Sequence, residues 1–414
     1  MLWHLTNLQA SGANPRIRMR QVGVASRPKA ELPGRKKTAG CSNMIFDIGT
    51  TLGRPDIRNS SYEMAFEERI DIHAHMLPPF YREACQMTGH EKPDNMPELP
   101  VSSFIPKLWD NLTSFKEWSV ESHLALMKDL NISKSILSIS SPGTSLIPGD
   151  HISSRKLTRQ CNNYAADICS QNPSLGFWAS LPVLSQDDAL QEIAHVFDTL
   201  NADGVTLETN YHGTYLGDSS LDVIFDELNR RHAKVFVHPT SPCMKSCHGH
   251  GPTPAAALTQ YPNPMFEFMF DSARAVVNLF LSGTLARCPN ITFIIPHAGG
   301  SISSIIERFT AFSAVIEGVT ALSSEEVKDT LETQFYFDLA GLPFPSQIQG
   351  LLKYVSIGRL LYGSDYPFTP QPAAEMLCAR MADEMERIWS KEERRAILVG
   401  NARRLLDAGY KSKL

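Results

Sequence analysis

The sequence predicts an α/β fold, a (β/α)8 TIM barrel, and three observations carry that expectation. From about residue 66, apolar β-type runs alternate with helical patterns, which implies parallel strands joined by helical crossovers. Eight such units over roughly 340 residues, with insertions, match the size of this barrel. The unusual polar residues fall at the C-terminal ends of the strands, which meet on one face when a barrel closes. In a doubly wound sheet, the structural alternative, strands one and eight need not be neighbours.

The first strand is built on Ile70-Asp71-Ile72-His73-Ala74-His75, whose alternation places His73 and His75 on one face and the isoleucines on the other. Residues 76–115 form a long insertion rich in proline and aromatics, Phe80 and Trp109 among them. Such loops often cover a site, although packing is the commoner role of their aromatics. A helix is expected over 116–130 and a strand over 135–140, closed by Ser141-Pro142-Gly143. Helix 153–171, strand 175–181, a helix capped by Ser185 and ending near 200, and strand 204–208 complete the first half. The second half runs helix 221–231, strand 234–238, a loop through Cys243, Cys247 and Pro254, helix 266–288 and strand 291–297. Helices 301–316 and 325–332, strand 335–338, helix 346–354, strand 360–365 and helices 373–389 and 391–406 finish the chain.

Composition excludes several classes. With 43% hydrophobic and 20% charged residues among 414, the chain is of ordinary globular type. Its richest apolar run, 265–285, is broken by Glu267, Asp271, Arg274 and Asn278, so no membrane segment is expected. Eight irregularly spaced cysteines do not form a disulfide framework, and a reducing, cytoplasmic compartment follows as the expectation. Residues 1–40 carry eight Lys/Arg against Glu31 alone, a charge of +7, which leaves −12 for residues 41–414. A folded part so acidic repels nucleic acid. Residues 1–63 are expected to be a disordered basic tail and residues 64–414 the barrel domain. A transit peptide, or a start placed upstream of Met64, would leave the same pattern, but no amphipathic period favours the first.

Five residues mark strand ends: His73 and His75 on strand one, His238 on five, His297 on six and Asp365 on eight. Each alone could be a satisfied core histidine or a turn aspartate; five on the same kind of position point to one shared site. Pro239 holds His238 extended, and Ala298-Gly299-Gly300 after His297 permits close approach before a helix N-terminus. Three neutral imidazoles and one carboxylate suit Zn²⁺ with an open position, Mn²⁺ being the alternative. Strand four, Gly204-Val-Thr-Leu-Glu208, holds no lysine to bridge two ions, so a single metal is expected. Glu208 and Asp338 could orient ligand histidines or serve as buried structural acids. Cys243, Cys247, His248 and His250 offer four ligands in eight residues, but their spacing matches no standard structural zinc site.

Together these motifs resemble the amidohydrolase-related superfamily, in the branch of the aminocarboxymuconate-semialdehyde decarboxylases and non-oxidative benzoate decarboxylases. Within it they are nearest the group acting on 6-methylsalicylate. The resemblance spans residues 68–406 and rests on the first strand, Leu137–Gly143, Gly204–Tyr211 with Tyr215–Asp218, Val237–Pro239, Pro296–Gly300 and Tyr362–Pro370. It implies His73, His75, His238 and Asp365 as metal ligands and His297 as a catalytic histidine beside them. Arg308 would reach a substrate carboxylate in the neighbouring subunit, which implies a homodimer; its structural alternative is a surface ion pair with Glu307 or another nearby acid. One departure stands out: the segment before Trp118 carries only Lys116 where the muconate-semialdehyde enzymes have a second arginine. A monocarboxylic aromatic acid therefore suits better than a dicarboxylate. The activity implied is decarboxylation of 6-methylsalicylate to 3-methylphenol in polyketide secondary metabolism, with Asp365 as proton donor. A metal-dependent hydrolase of an amide or lactone is the rival expectation.

Overall fold

The computed structural model describes residues 66–90, 118–244, 253–254 and 262–408. The tail 1–63, the part of the insertion that holds Trp109 and Lys116, and Cys247, His248 and His250 lie outside them.

Eight parallel strands form one sheet in chain order: β1 (Arg69–His75), β2 (Ile132–Ser138), β3 (Leu175–Ser180), β4 (Gly204–Glu208), β5 (Lys234–His238), β6 (Thr292–Ile295), β7 (Phe335–Asp338) and β8 (Leu360–Leu361). Parallel bridges from Asp71 to Tyr362 and from Ala74 to Tyr366 bring the last strand back to the first. The sheet thus closes on itself as the expected (β/α)8 barrel, and every strand is covered by helices outside and side chains inside. That is why β1, β3, β4 and β5 are buried along their whole length.

Helices join the strands: α1 (Pro79–Met87), α2 (Val120–Asp129), α3 (His151–Gln171), α4 (Gln186–Asp198), α5 (Asp222–Arg230), α6 (Glu267–Leu281), α7 (Ile306–Ser313), α8 (Ser324–Gln334), α9 (Ser346–Leu351) and α10 (Gln371–Ile388). Ser119 and Ser122 cap the start of α2 reciprocally, and Ser323 with Glu326 does the same for α8. Several expectations need correction. The insertion after β1 is not loop from its start, since Pro79 opens α1 there. Ser185 precedes α4 but its side chain makes no capping bond. The helix expected over 266–288 breaks at Gly283, whose φ of 77° ends α6 before a single turn, Thr284–Arg287. The helix expected over 301–316 is a 3₁₀ turn, Ile302–Ser304, followed by α7. The strand expected over 360–365 is continuous as β8 only over Leu360–Leu361; beyond it the pairing with β1 is by the single bridges at Tyr362 and Tyr366, on either side of Asp365 at φ 57°.

Inside the barrel, the Trp178 indole donates to the Ile72 carbonyl at 2.9 Å and stacks on Phe236 at 22°. The edge of His73 meets Phe236 with ring centroids 5.0 Å apart, so an aromatic floor lies under the first histidine. Phe280, Phe293, Phe335 and Phe337 form a second stack around β6 and β7. Phe80 packs edge-on against Tyr164, the packing role expected of it. Cys85, Cys161, Cys169, Cys243, Cys288 and Cys378 are all free thiols. No helix among the described residues is long and apolar enough to cross a membrane.

Candidate metal centre and active site

Closure of the barrel brings His73, His75, His238 and Asp365 together, with one ligand atom from each within 4.8 Å of the others. His297 joins them, its ring centroid 5.1 Å from that of His73. The alternation of β1 aims both of its histidines inward, and their Nε2 atoms lie 3.1 Å apart. Asp365 Oδ1 stands 3.3 Å from His73 Nε2 and 3.1 Å from His75 Nε2, while its Oδ2 lies 3.5 Å from His297 Nε2.

The far nitrogen of His73, His75 and His238 each faces a polar group, whereas His297 Nδ1 is buried with no hydrogen-bond partner among the described residues. His73 Nδ1 lies 3.0 Å from Asp338 Oδ2, His75 Nδ1 3.1 Å from Ser138 Oγ, and His238 Nδ1 3.7 Å from Glu208 Oε2. With Nδ1 protonated toward these partners, the Nε2 lone pairs of His73 and His75 point at one another. Such an arrangement is unfavourable unless a cation or a proton lies between them. The titration behaviour agrees. Burial disfavours charge on His73, yet Asp338 and Asp365 carry it up to about 10. Burial lowers His75, and burial together with the neighbouring His75 and His73 puts His238 well below the usual range. The centre therefore calls for positive charge at one point, and this donor set fits a divalent ion.

Backbone geometry at the strand ends is costly and heavily supported. His297, Ala298 and Asp365 all have φ between 51° and 57°, the left-handed region that non-glycine residues rarely occupy. The Asp365 amide donates to the His73 carbonyl at 2.8 Å. Gly363 approaches β1 so closely that a Cβ there would sit 2.8 Å from the Cβ of His73. Gly300 packs on the Met269 carbonyl with room for no side chain at all.

The amidohydrolase family model matches residues 70–408, which is the barrel almost entire. The chain belongs to the amidohydrolase family. This amidohydrolase is 33% identical over 309 residues to the 6-methylsalicylic acid decarboxylase of Penicillium expansum, covering 74% of this chain and 86% of that one. It also resembles a solved amidohydrolase II at 30% identity, with a TM-score of 0.69 over 82% of this chain and 100% of the other. Its fold matches a dihydroxybenzoic acid decarboxylase from Polaromonas sp. JS666, solved with manganese and 2-nitroresorcinol. That match has 18% identity and a TM-score of 0.63 over 83% and 97% of the two chains.

Arg308, by contrast, stands apart from this cluster of side chains in its contacts. It is exposed on α7 with its guanidinium over the Phe312 ring at 5.0 Å. Glu307 accepts instead from Ser324 and Tyr354, so the ion pair between Arg308 and Glu307 does not form. Of the four residues on which the Cys243 loop motif rests, only Cys243 is among the described residues.

Sequence reasoning missed Ser138, Asp71 and Phe368. Ser138 ends β2, but the expected strand ran on to residue 140, so the strand-end rule passed over it. Asp71 is two residues before His73 on the same strand face and anchors Ser364. Phe368 sets its edge against His75, centroids 5.2 Å apart, and only the turn after Asp365 puts it there.

Proposed function

We propose that this amidohydrolase is a carboxy-lyase, a metal-dependent non-oxidative decarboxylase of a salicylate-type acid, with 6-methylsalicylate giving 3-methylphenol and CO₂. The single observation behind this reading is a gradient of exposure. The side chains of His73 and His75 are 0% exposed and that of His238 4%, whereas Asp365 is 21% and His297 13% exposed. The sealed side offers ligands and the open side offers a carboxylate beside an imidazole, which is the equipment for moving a proton on a small bound anion. Similarity to a 6-methylsalicylic acid decarboxylase supports the substrate class.

His73, His75, His238 and Asp365 would hold the ion, assigned as Zn²⁺ with Mn²⁺ as the alternative. When bound, it supplies Lewis-acid stabilisation of negative charge on the substrate's carboxylate and phenolic oxygens. Burial opposes charge on Asp365, but His73 and the bonds from His297 and His75 hold it well below the usual carboxylate range. A carboxylate that ligates a cation is deprotonated, so the proton arrives with the substrate. The phenol hydroxyl gives its proton to Asp365, and Asp365 passes it to the ring carbon that bears the carboxylate. The bond to that carboxylate then breaks, its electron pair returns to the ring, and CO₂ and a phenolate leave. His297 steadies Asp365 while its charge changes.

The proposal extends to a cytoplasmic homodimer in which Arg308 serves the partner's site. Its guanidinium is exposed, and Phe312, Val315 and Ile316 beside it are exposed apolar residues. Mixing Asp365→Asn with Arg308→Ala subunits should restore part of the activity each lacks.

A panel of hydroxybenzoates, scored for phenol and CO₂ with and without chelator, tests the central reading. Chelator-sensitive CO₂ release from a salicylate-type acid is the expected result. Cleavage of amide or lactone substrates without CO₂ release would place the protein among the hydrolases instead.

A further inference from the structure

After β6 the chain makes a left-handed turn in which His297, Ala298, Gly299 and Gly300 all have positive φ, from 51° to 79°. Non-glycine residues are strained in that region, so the turn persists only where its surroundings enforce it. Within the turn, the Gly299 amide donates to the Pro296 carbonyl and the Gly300 amide to the His297 carbonyl, each at 3.0 Å. Two side chains from outside complete the enclosure. Asp338 Oδ1 accepts the His297 amide at 3.1 Å. From the other side, the Gln347 side-chain amide donates to the carbonyl of His297 at 2.5 Å and to that of Gly300 at 2.9 Å.

We propose that Gln347, on α9, is a positioning residue that sets the reach of His297 toward Asp365. Gln347 is half-buried on the neighbouring element and bonds the His297 backbone, not its ring. Its amide nitrogen carries two hydrogens, and the two carbonyls it serves bracket the whole left-handed turn. Fixing both ends of the turn fixes the rotation of the His297 backbone, and with it the direction of the ring. The His297–Asp365 separation of 3.5 Å is at the outer limit of a hydrogen bond, so a few tenths of an ångström decide whether it forms. Loss of the Gln347 bonds lets the turn relax and withdraws the imidazole from Asp365, while the four metal-binding side chains, held by other partners, stay in place.

This inference rests on the decarboxylase reading for its kinetic part only. Gln347→Met keeps length and shape but donates nothing. In the holoenzyme it should lower kcat about 10- to 100-fold, with KM within about twofold and metal content equal to wild type. His297→Asn and the double variant complete a cycle. If Gln347 acts through His297, adding Gln347→Met to His297→Asn costs little more, whereas independent structural damage adds in full. A Gln347→Met enzyme with wild-type kcat, or a fully additive double variant, overturns the proposal. A crystal structure of Gln347→Met decides it separately from any substrate: a displaced His297 ring supports it and an unmoved ring overturns it. If the wild type decarboxylates no hydroxybenzoate, the functional reading fails while that structural comparison still judges the latch.

Discussion

The carboxylate of Asp71 accepts the Ser364 hydroxyl at 2.6 Å and the Ser364 amide at 3.0 Å, which ties the first strand of the barrel to the residue next to Asp365. Both partners are buried, and the bonds lie at the seam where the eighth strand returns to the first. Asp365 is therefore positioned by the closure of the barrel as well as by its own turn. Asp71→Ala removes the acceptor of the Ser364 hydroxyl, the Ser364 amide and the His73 amide, and leaves the two Ser364 donors only their longer bonds to the His73 carbonyl. We expect a loss of about 2–3 kcal/mol in stability together with weaker metal retention. Denaturant unfolding and metal analysis of the same preparation check this, and a variant equal to wild type in both would contradict it.

Asp365 stands between the paired histidines and His297. Asp365→Asn retains the shape of the side chain but removes the carboxylate proposed to accept and deliver the proton. Turnover of the substrate should fall by at least about 10³-fold. Single-turnover assays on metal-loaded protein are the measurement; substantial residual CO₂ release would remove this aspartate from proton transfer.

With no cation between them, the lone pairs of His73 and His75 face each other at 3.1 Å. A ligand present at about 100 times its Kd stabilises the folded state by about 2.7 kcal/mol. Chelation should lower the thermal midpoint by about 5 °C, and re-addition of Zn²⁺ or Mn²⁺ should restore it, the more effective ion marking the native one. A midpoint indifferent to chelation would speak against a resident cation.

His123 gives a pH dependence that can be isolated. It is buried on α2 with Nε2 3.0 Å from Ser135 Oγ, and burial, with the nearby His75, pushes it down to about 4 from its ordinary 6.5. Between these values the unfolded chain binds a proton that the folded chain refuses. Stability therefore falls as pH drops from 6.5 to 4, by about 1.4 kcal/mol per unit at most, and this group adds no slope above 6.5. His123→Gln should flatten the acid limb by about one proton relative to wild type in denaturation series between those limits. An unchanged limb would show that His123 titrates normally.

Much of the site was legible because its signals are local. Period-two alternation in β1 aims His73 and His75 to one side, Pro239 keeps His238 extended, and Ala298-Gly299-Gly300 announces a close-packed turn. Helix boundaries were less legible. Gly283 ends α6 through its left-handed φ, yet in sequence it is one glycine inside a helical pattern. The turn at Asp365 was harder still, because an aspartate at φ 57° has no local reason to be there. It is held by the hydrogen bond its amide donates to the His73 carbonyl, 292 positions away in the chain.

The sequence by itself determined the alternation of strands and helices and the residues able to bind a cation or carry a proton. These depend on periodicity and side-chain chemistry, which act over a few residues. Only the tertiary structure decided how they are supported: Asp338 behind His73, Ser138 behind His75, Asp71 on Ser364 and Gln347 across the left-handed turn. Those contacts join segments as far as 293 positions apart. They exist because a closed sheet brings its first and last strands side by side, a distance that no local pattern in the chain encodes.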